Sequence, residues 1–109
     1  MRKILFASLL LLCGVSQAHS QYQSGNNLHA DMNASNISTR MFAFGYVIGV
    51  VDTVIGKQLC IPRDVTQGQL EEVVKIFLDS RPQVRHLPAD VIVIVALEQY
   101  WPCKERKKS

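Results

Sequence analysis

The chain has 109 residues, with 12 Lys and Arg against 9 Asp and Glu, so its formal net charge is +3. This length fits one small domain and leaves no room for a multidomain enzyme. Six of the 12 basic residues lie in the two ends, at positions 2–3 and 104–108, so no basic stripe with interleaved aromatic residues remains to bind nucleic acid.

The first 18 residues have the pattern of a secretory signal peptide. Arg2 and Lys3 give a charged start, and residues 4–13 form an apolar run that is too short to span a bilayer. Small residues at Ser16 and Ala18 fit a cleavage site after Ala18. The sequence therefore predicts a signal peptide over residues 1–18 and no membrane span in the mature chain; an uncleaved anchor would need a longer apolar stretch.

The cysteine count becomes simple once the signal peptide is removed. Cys13 leaves with it, and Cys60 and Cys103 remain in an oxidising compartment. The simplest interpretation is one intramolecular disulfide, and the alternative is an intermolecular or metal-ligating pair. A loop of this size gives the bond a stabilising effect of about 4 kcal/mol in the chain-entropy model.

Residues 19–37 are mostly polar, and we expect a loosely ordered N-terminal segment with at most a short helical turn at residues 28–33. Residues 41–55 are strongly apolar, and as a helix they would be apolar nearly all round, which predicts burial at the centre of the domain. Asp52 interrupts this run, and we expect it to be a buried, hydrogen-bonded polar anchor.

Gly45 and Gly49 lie four residues apart and therefore share one face of this helix. Because each glycine costs a helix about 1 kcal/mol relative to alanine, we expect another backbone to approach this face. That backbone could belong to the same subunit or to the second copy in a dimer. Gly56 stands where a C-terminal cap is expected.

The clearest helix follows Thr66, which forms a capping box with Gln69. Apolar residues recur at helical spacing from Leu70 onward, and Glu71 and Lys75 are spaced to form an ion pair. Arg81, followed by a proline, ends this helix.

Residues 81–87 form a basic loop, and Pro88 suits the start of a final helix. Residues 91–95 are all β-branched, which favours a strand by propensity. We nevertheless predict a helix, because no other convincing strand exists to pair with. The predicted fold is all-α, a small bundle of about four helices closed by a disulfide between Cys60 and Cys103.

Several short motifs occur in a characteristic order between Phe42 and Cys103. They include Gly-Tyr-Val at 45–47, Cys-Ile-Pro at 60–62, His-Leu-Pro-Ala at 86–89 and Trp-Pro-Cys at 101–103. In this order and spacing the chain resembles the Rap/Tai family of type VI secretion immunity proteins. The residues that match its motifs, to which we assign structural roles, are Gly45, Tyr46, Gly49, Asp52, Pro62, Thr66, Gln69 and Trp101.

The resemblance implies a small helical domain over residues 38–103, often a homodimer, located in the periplasm and followed by a basic tail at 104–109. Family members bind and block a cognate peptidoglycan amidase and perform no chemistry themselves. Many of them carry a second cysteine pair, at positions that Met32 and Ala43 occupy here. We therefore expect the segment around Met32 to be less firmly held.

The residues themselves argue against an enzyme. The two mature cysteines are predicted to be oxidised, and His19, His29 and His86 lack metal-ligand spacing with each other or with a carboxylate. We predict no catalytic residues, no metal site and no cofactor. A small periplasmic chaperone or stress protein, or an orphan binding domain without a toxin partner, is the alternative to an amidase inhibitor.

Residues 81–86 form the best candidate for a loop that contacts a partner. The candidate contact residues are Arg81, Arg85 and His86. The alternative is that this loop is a solvated connector between two helices.

Overall fold

The computed structural model describes residues 22–104, so the predicted signal peptide and residues 105–109 of the basic tail lie outside the described part. Within that part the chain forms four α-helices and one short 3₁₀ helix, and it contains no strand. The prediction of an all-α bundle is therefore confirmed. The α-helices are α1 (Gly25–Met32), α2 (Ile37–Val54), α3 (Gln67–Ser80) and α4 (Ala89–Glu98), and the 3₁₀ helix is Pro82–Val84.

Helix α1 lies in the segment that we expected to be loosely ordered, and here the structure differs from the expectation. The hydroxyl of Ser24 accepts the N–H of Asn27 and caps the helix. Leu28 is completely buried and Met32 is 3% exposed. These two residues are spaced i, i+4 and point to one face, so a segment that is polar on average still has two apolar anchors in the core.

Helix α2 begins earlier than predicted because Asn36 caps it, accepting the N–H groups of Ser38 and Thr39. Beyond its end, Gly56 adopts a φ of +82° and donates its N–H to the carbonyl of Leu59. The left-handed conformation explains why glycine stands at this position, as the sequence predicted.

The prediction that α2 is buried all round is wrong. Only three of its 18 residues are buried, namely Ala43, Val47 and Val51 along the face turned to the core. By length and composition alone this helix could cross a membrane, a criterion that the core helix of a soluble protein also meets. The outer face of α2, which carries Met41, Phe42 and Asp52, remains exposed in the part of the chain that the structure describes.

Helices α3 and α4 supply most of the remaining core. The predicted capping box is present, with Thr66 N–H donating to Gln69 Oε1 (2.7 Å) and Gln69 N–H to Thr66 Oγ1 (3.1 Å). The predicted helix at residues 91–95 is confirmed, since Ile92 and Val93 are buried within α4. Pro88 directly precedes α4, one position before the expected one.

Lys75 forms an ion pair, but its partner is Asp79 at 2.9 Å rather than the predicted Glu71. Glu71 is partly buried, and this burial raises the pKa of its carboxyl above the ordinary value.

The predicted disulfide between Cys60 and Cys103 is present, with the two Cα atoms 4.8 Å apart. It joins the chain beyond α4 to the segment that follows α2. A backbone hydrogen bond from the N–H of Cys60 to the carbonyl of Trp101 (2.9 Å) supports the same junction. Trp101 is partly buried and packs against the core, so the end of the bundle is held by packing as well as by the covalent bond.

Candidate functional site

The loop between α3 and α4 contains the three residues predicted to contact a partner, and the structure separates their roles. Arg81 places its guanidinium 4.2 Å from the centre of the Phe77 ring, a cation–π contact at the end of α3. His86 is exposed and makes no side-chain hydrogen bond to the described residues. These two side chains are placed where a partner could reach them.

Arg85 turns inward instead. Its Nε donates to the carbonyl of Leu78 (2.7 Å) and a terminal nitrogen donates to the carbonyl of Asp79 (3.1 Å). Both carbonyls belong to the last turn of α3, where no intrahelical N–H is available to them. Arg85 therefore closes the end of α3 and is not a free contact residue, which the sequence could not reveal because an arginine in a basic loop usually points to solvent.

The N-terminal segment lies against the same loop. Gly25 donates its N–H to the carbonyl of Leu87 (2.8 Å), and Asn26 donates to the carbonyl of Arg85 (2.7 Å). In return, the N–H of Ala89 donates to the carbonyl of Gln23 (2.9 Å). The start of α1 and the start of α4 thus share one end of the bundle with the candidate loop.

An apolar surface adjoins the loop along α4. Leu87, Val91 and Val95 are 37%, 45% and 43% exposed. Beside them lies a hollow of about 80 Å³ between α3, the loop and α4, a volume that suits a single apolar side chain. Its lining residues are Phe77, Val84, Leu87, Val91, Ile92 and Val95.

A second apolar surface runs along the outer face of α2, which we call the α2 face and define by Met41, Phe42, Gly45, Gly49 and Asp52. Met41 and Phe42 are 56% and 65% exposed. An added Cβ at either glycine would meet no atom within 4 Å, so no backbone among residues 22–104 approaches this face from another part of the fold. Asp52 is exposed here, so its predicted role as a buried anchor is wrong.

Tyr46 lies at the edge of the α2 face, in an open groove of about 380 Å³ between α2 and α4. Gly49, Asp90 and Ile94 also line this groove. Partial burial, followed by the nearby negative charge of Asp90, raises the pKa of the Tyr46 phenol above its ordinary value. The phenol therefore remains a neutral hydroxyl at neutral pH.

The other motif residues have local structural positions. Thr66 and Gln69 form the capping box described above, Trp101 packs on the core, and Pro62 is exposed and accepts the N–H of Val65 in a turn (3.2 Å). Among residues 22–104, no three His, Cys, Asp or Glu side chains are grouped so that they could hold a metal ion. The arrangement offers surfaces for binding a macromolecule.

Comparison with known protein families identifies the fold family of this chain. A family model described as Rap1a immunity proteins matches residues 7–103 and thus nearly the whole chain. No curated protein matches the chain.

Proposed function

The chain belongs to the family of Rap1a immunity proteins, and on this basis we propose that it is a periplasmic inhibitor of a peptidoglycan amidase toxin delivered by a type VI secretion system. Family membership is the observation that carries the proposal. The inhibitor binds the toxin, covers its active-site cleft and takes no part in chemistry. Both cysteines of the predicted mature chain are joined in the disulfide, so neither is available as a thiolate nucleophile, which agrees with this role.

The contact surface that the geometry favours combines the exposed part of the loop with the apolar surface of α4. Arg81 and His86 contribute polar contacts, and Leu87, Val91 and Val95 contribute apolar area around the hollow. Tight protein interfaces rely on a few central anchors that fill such hollows and on a polar rim that excludes water. Arg85 contributes indirectly, since it holds the loop in place.

The periplasmic location rests on the signal-peptide pattern of residues 1–18 and on the disulfide, because disulfides persist in oxidising compartments. A protein that protects against a cell-wall hydrolase has to be present where the cell wall is. Loss of residues 1–18 should therefore leave the protein unable to protect.

The protein is also proposed to form a homodimer, with the α2 face as the surface that joins the two copies. The exposed Met41 and Phe42 beside two glycines give a flat apolar strip that water solvates poorly. A two-fold symmetric interface requires one surface that meets itself, and a single exposed helix face meets that requirement.

The test of inhibition takes the amidase encoded by a reading frame adjacent to this one. Purified protein is expected to bind that amidase and stop its release of peptides from peptidoglycan. Val91→Asp, on the proposed contact surface, should weaken binding by more than about tenfold, because it puts a charge into the apolar centre of the interface.

The matched control is Ile55→Asp, which adds the same charge at a residue that is 49% exposed at the far end of α2. This variant should bind as the unmodified protein does. If the adjacent frames encode no amidase, or if the amidase stays active with excess protein, the toxin-specific proposal is wrong. Binding of many unfolded proteins instead would favour the chaperone alternative.

A further inference from the structure

The hydrogen bonds between the N-terminal segment and the loop before α4 have an unusual property. Asn26 and Ala89 donate first-turn N–H groups of α1 and α4, which have no acceptor inside their own helices. Each finds its acceptor in the other segment, at the carbonyls of Arg85 and Gln23. The two helix starts thus satisfy each other, and breaking one contact leaves an unsatisfied group on both sides.

Gly25 makes this approach possible. It is buried, and a Cβ at this position would collide with the side chain of Ile92 and lie 2.7 Å from the carbonyl oxygen of Arg85. Real side chains do not tolerate such a contact with backbone, so any other residue would push the two segments apart. This is the only glycine among residues 22–104 whose missing side chain leaves room for a contact that close.

Arg85 connects the N-terminal segment to the rest of the bundle. Its carbonyl accepts the N–H of Asn26 at the start of α1, while its side chain closes the end of α3 through Leu78 and Asp79. Displacement of the N-terminal segment therefore acts on the same residue that fixes the loop to α3.

We propose that residues 23–26 act as a clasp that holds the loop at residues 81–88 in the shape it presents to a partner, with Arg85 as the positioning residue. That a partner binds this loop rests on the proposed function, whereas the clasp itself depends only on contacts within the chain. Residues 23–26 then determine the shape of a contact loop that lies about 60 residues later in the sequence.

The test is amide hydrogen exchange by NMR on the whole mature chain carrying Gly25→Ala. The N–H groups of Asn26 and Ala89 report on the clasp, and that of Leu87, which bonds to the carbonyl of Val84 within the loop (3.0 Å), reports on the loop. All three are expected to exchange at least about tenfold faster in the variant, with the amides of α2 unchanged.

The matched control is Gly68→Ala, because a Cβ at Gly68 meets only an ordinary contact at 3.9 Å. It should leave exchange at Leu87 unaltered. If Gly25→Ala prevents folding, Arg85→Lys provides the same test, since lysine keeps the charge but cannot reach two carbonyls with a planar fork. It should also accelerate exchange at Leu87 and Asn26.

Two results would overturn the clasp. In the first, Asn26 and Ala89 exchange faster while Leu87 keeps its original rate, which means that the loop holds its shape alone. In the second, Gly25→Ala leaves all three rates unchanged, which means that the close approach is absent. If instead the loop loosens but affinity for the amidase stays the same, the clasp stands and the proposed contact surface is wrong.

Discussion

His29 Nε2 lies 2.7 Å from Asp79 Oδ1, and this contact ties α1 to α3. Lys75 Nζ approaches the other oxygen of the same carboxylate at 2.9 Å. The hydrogen bond from Lys75, and after it the one with His29, holds the pKa of Asp79 below its ordinary value. A surface carboxylate thus contributes to fixing the short first helix.

The lowered pKa of Asp79 predicts a pH-dependent contribution to stability. A carboxyl whose pKa is lower in the folded than in the unfolded chain stabilises the fold above the unfolded pKa, and this contribution is lost as the pH falls through the folded pKa. Asp79→Asn should lower the free energy of unfolding at pH 7 by less than about 1 kcal/mol, because the pair is exposed. As the pH falls below the ordinary aspartate pKa of about 4 and through the lowered pKa of folded Asp79, the difference in stability should shrink toward zero.

Urea denaturation at a series of pH values measures this difference. Asp64→Asn serves as the control, because Asp64 is exposed and forms no ion pair or side-chain hydrogen bond with the described residues. A penalty for Asp79→Asn that stays constant from pH 7 down to the acid limit of the folded protein would show that the effect is not electrostatic.

We expect the disulfide to contribute more to the free energy of unfolding than any single packing contact does. Cys60 and Cys103 are 43 residues apart, and closing a loop of that length is worth about 4 kcal/mol in the chain-entropy model. Replacing both residues by serine should therefore lower the free energy of unfolding by up to about 4 kcal/mol, measured by urea denaturation. An unchanged midpoint would mean that the backbone hydrogen bonds and Trp101 hold this junction alone.

The sequence predicted those parts of the fold that depend on neighbouring residues. The capping box at Thr66 and the end of α2 at Gly56 follow from local backbone chemistry, and the helical state of residues 91–95 followed from the lack of a partner strand. The disulfide followed from the number of cysteines. These features need no knowledge of distant contacts.

Features that depend on distant contacts were missed. The sequence shows that α2 is apolar, but it does not show how many neighbours the chain has to cover it, so the exposure of Phe42 and Asp52 could not be foreseen. The inward turn of Arg85 depends on where α3 ends in space. The close approach of Gly25 to Ile92 becomes visible only when α1 and α4 are placed together.

Met32 and Ala43 stand where the resemblance to the Rap/Tai family implies a second cysteine pair in many members, and both are buried here, on α1 and α2. The double variant Met32→Cys/Ala43→Cys should therefore form a second disulfide. An 11-residue separation gives an entropic gain of about 3 kcal/mol, from which the lost packing of Met32 is subtracted. Thiol counting under denaturing conditions measures bond formation, and the thermal midpoint should rise on oxidation. Two free thiols in the folded, oxidised protein would contradict the placement.

The α2 face gives the sharpest test of the homodimer. Because no other described part of the chain lies within 4 Å of a Cβ at Gly49, Gly49→Leu should leave the subunit folded, and it removes a glycine penalty from α2 of about 1 kcal/mol. The larger side chain would hold two copies apart, so light scattering should show the mass of a monomer where the unmodified protein gives a dimer. Gly68→Leu, which places the same side chain at an exposed position on α3, should remain dimeric. A folded Gly49→Leu variant with the mass of a dimer would show that the interface lies on another surface. A monomeric unmodified protein would contradict the homodimer itself.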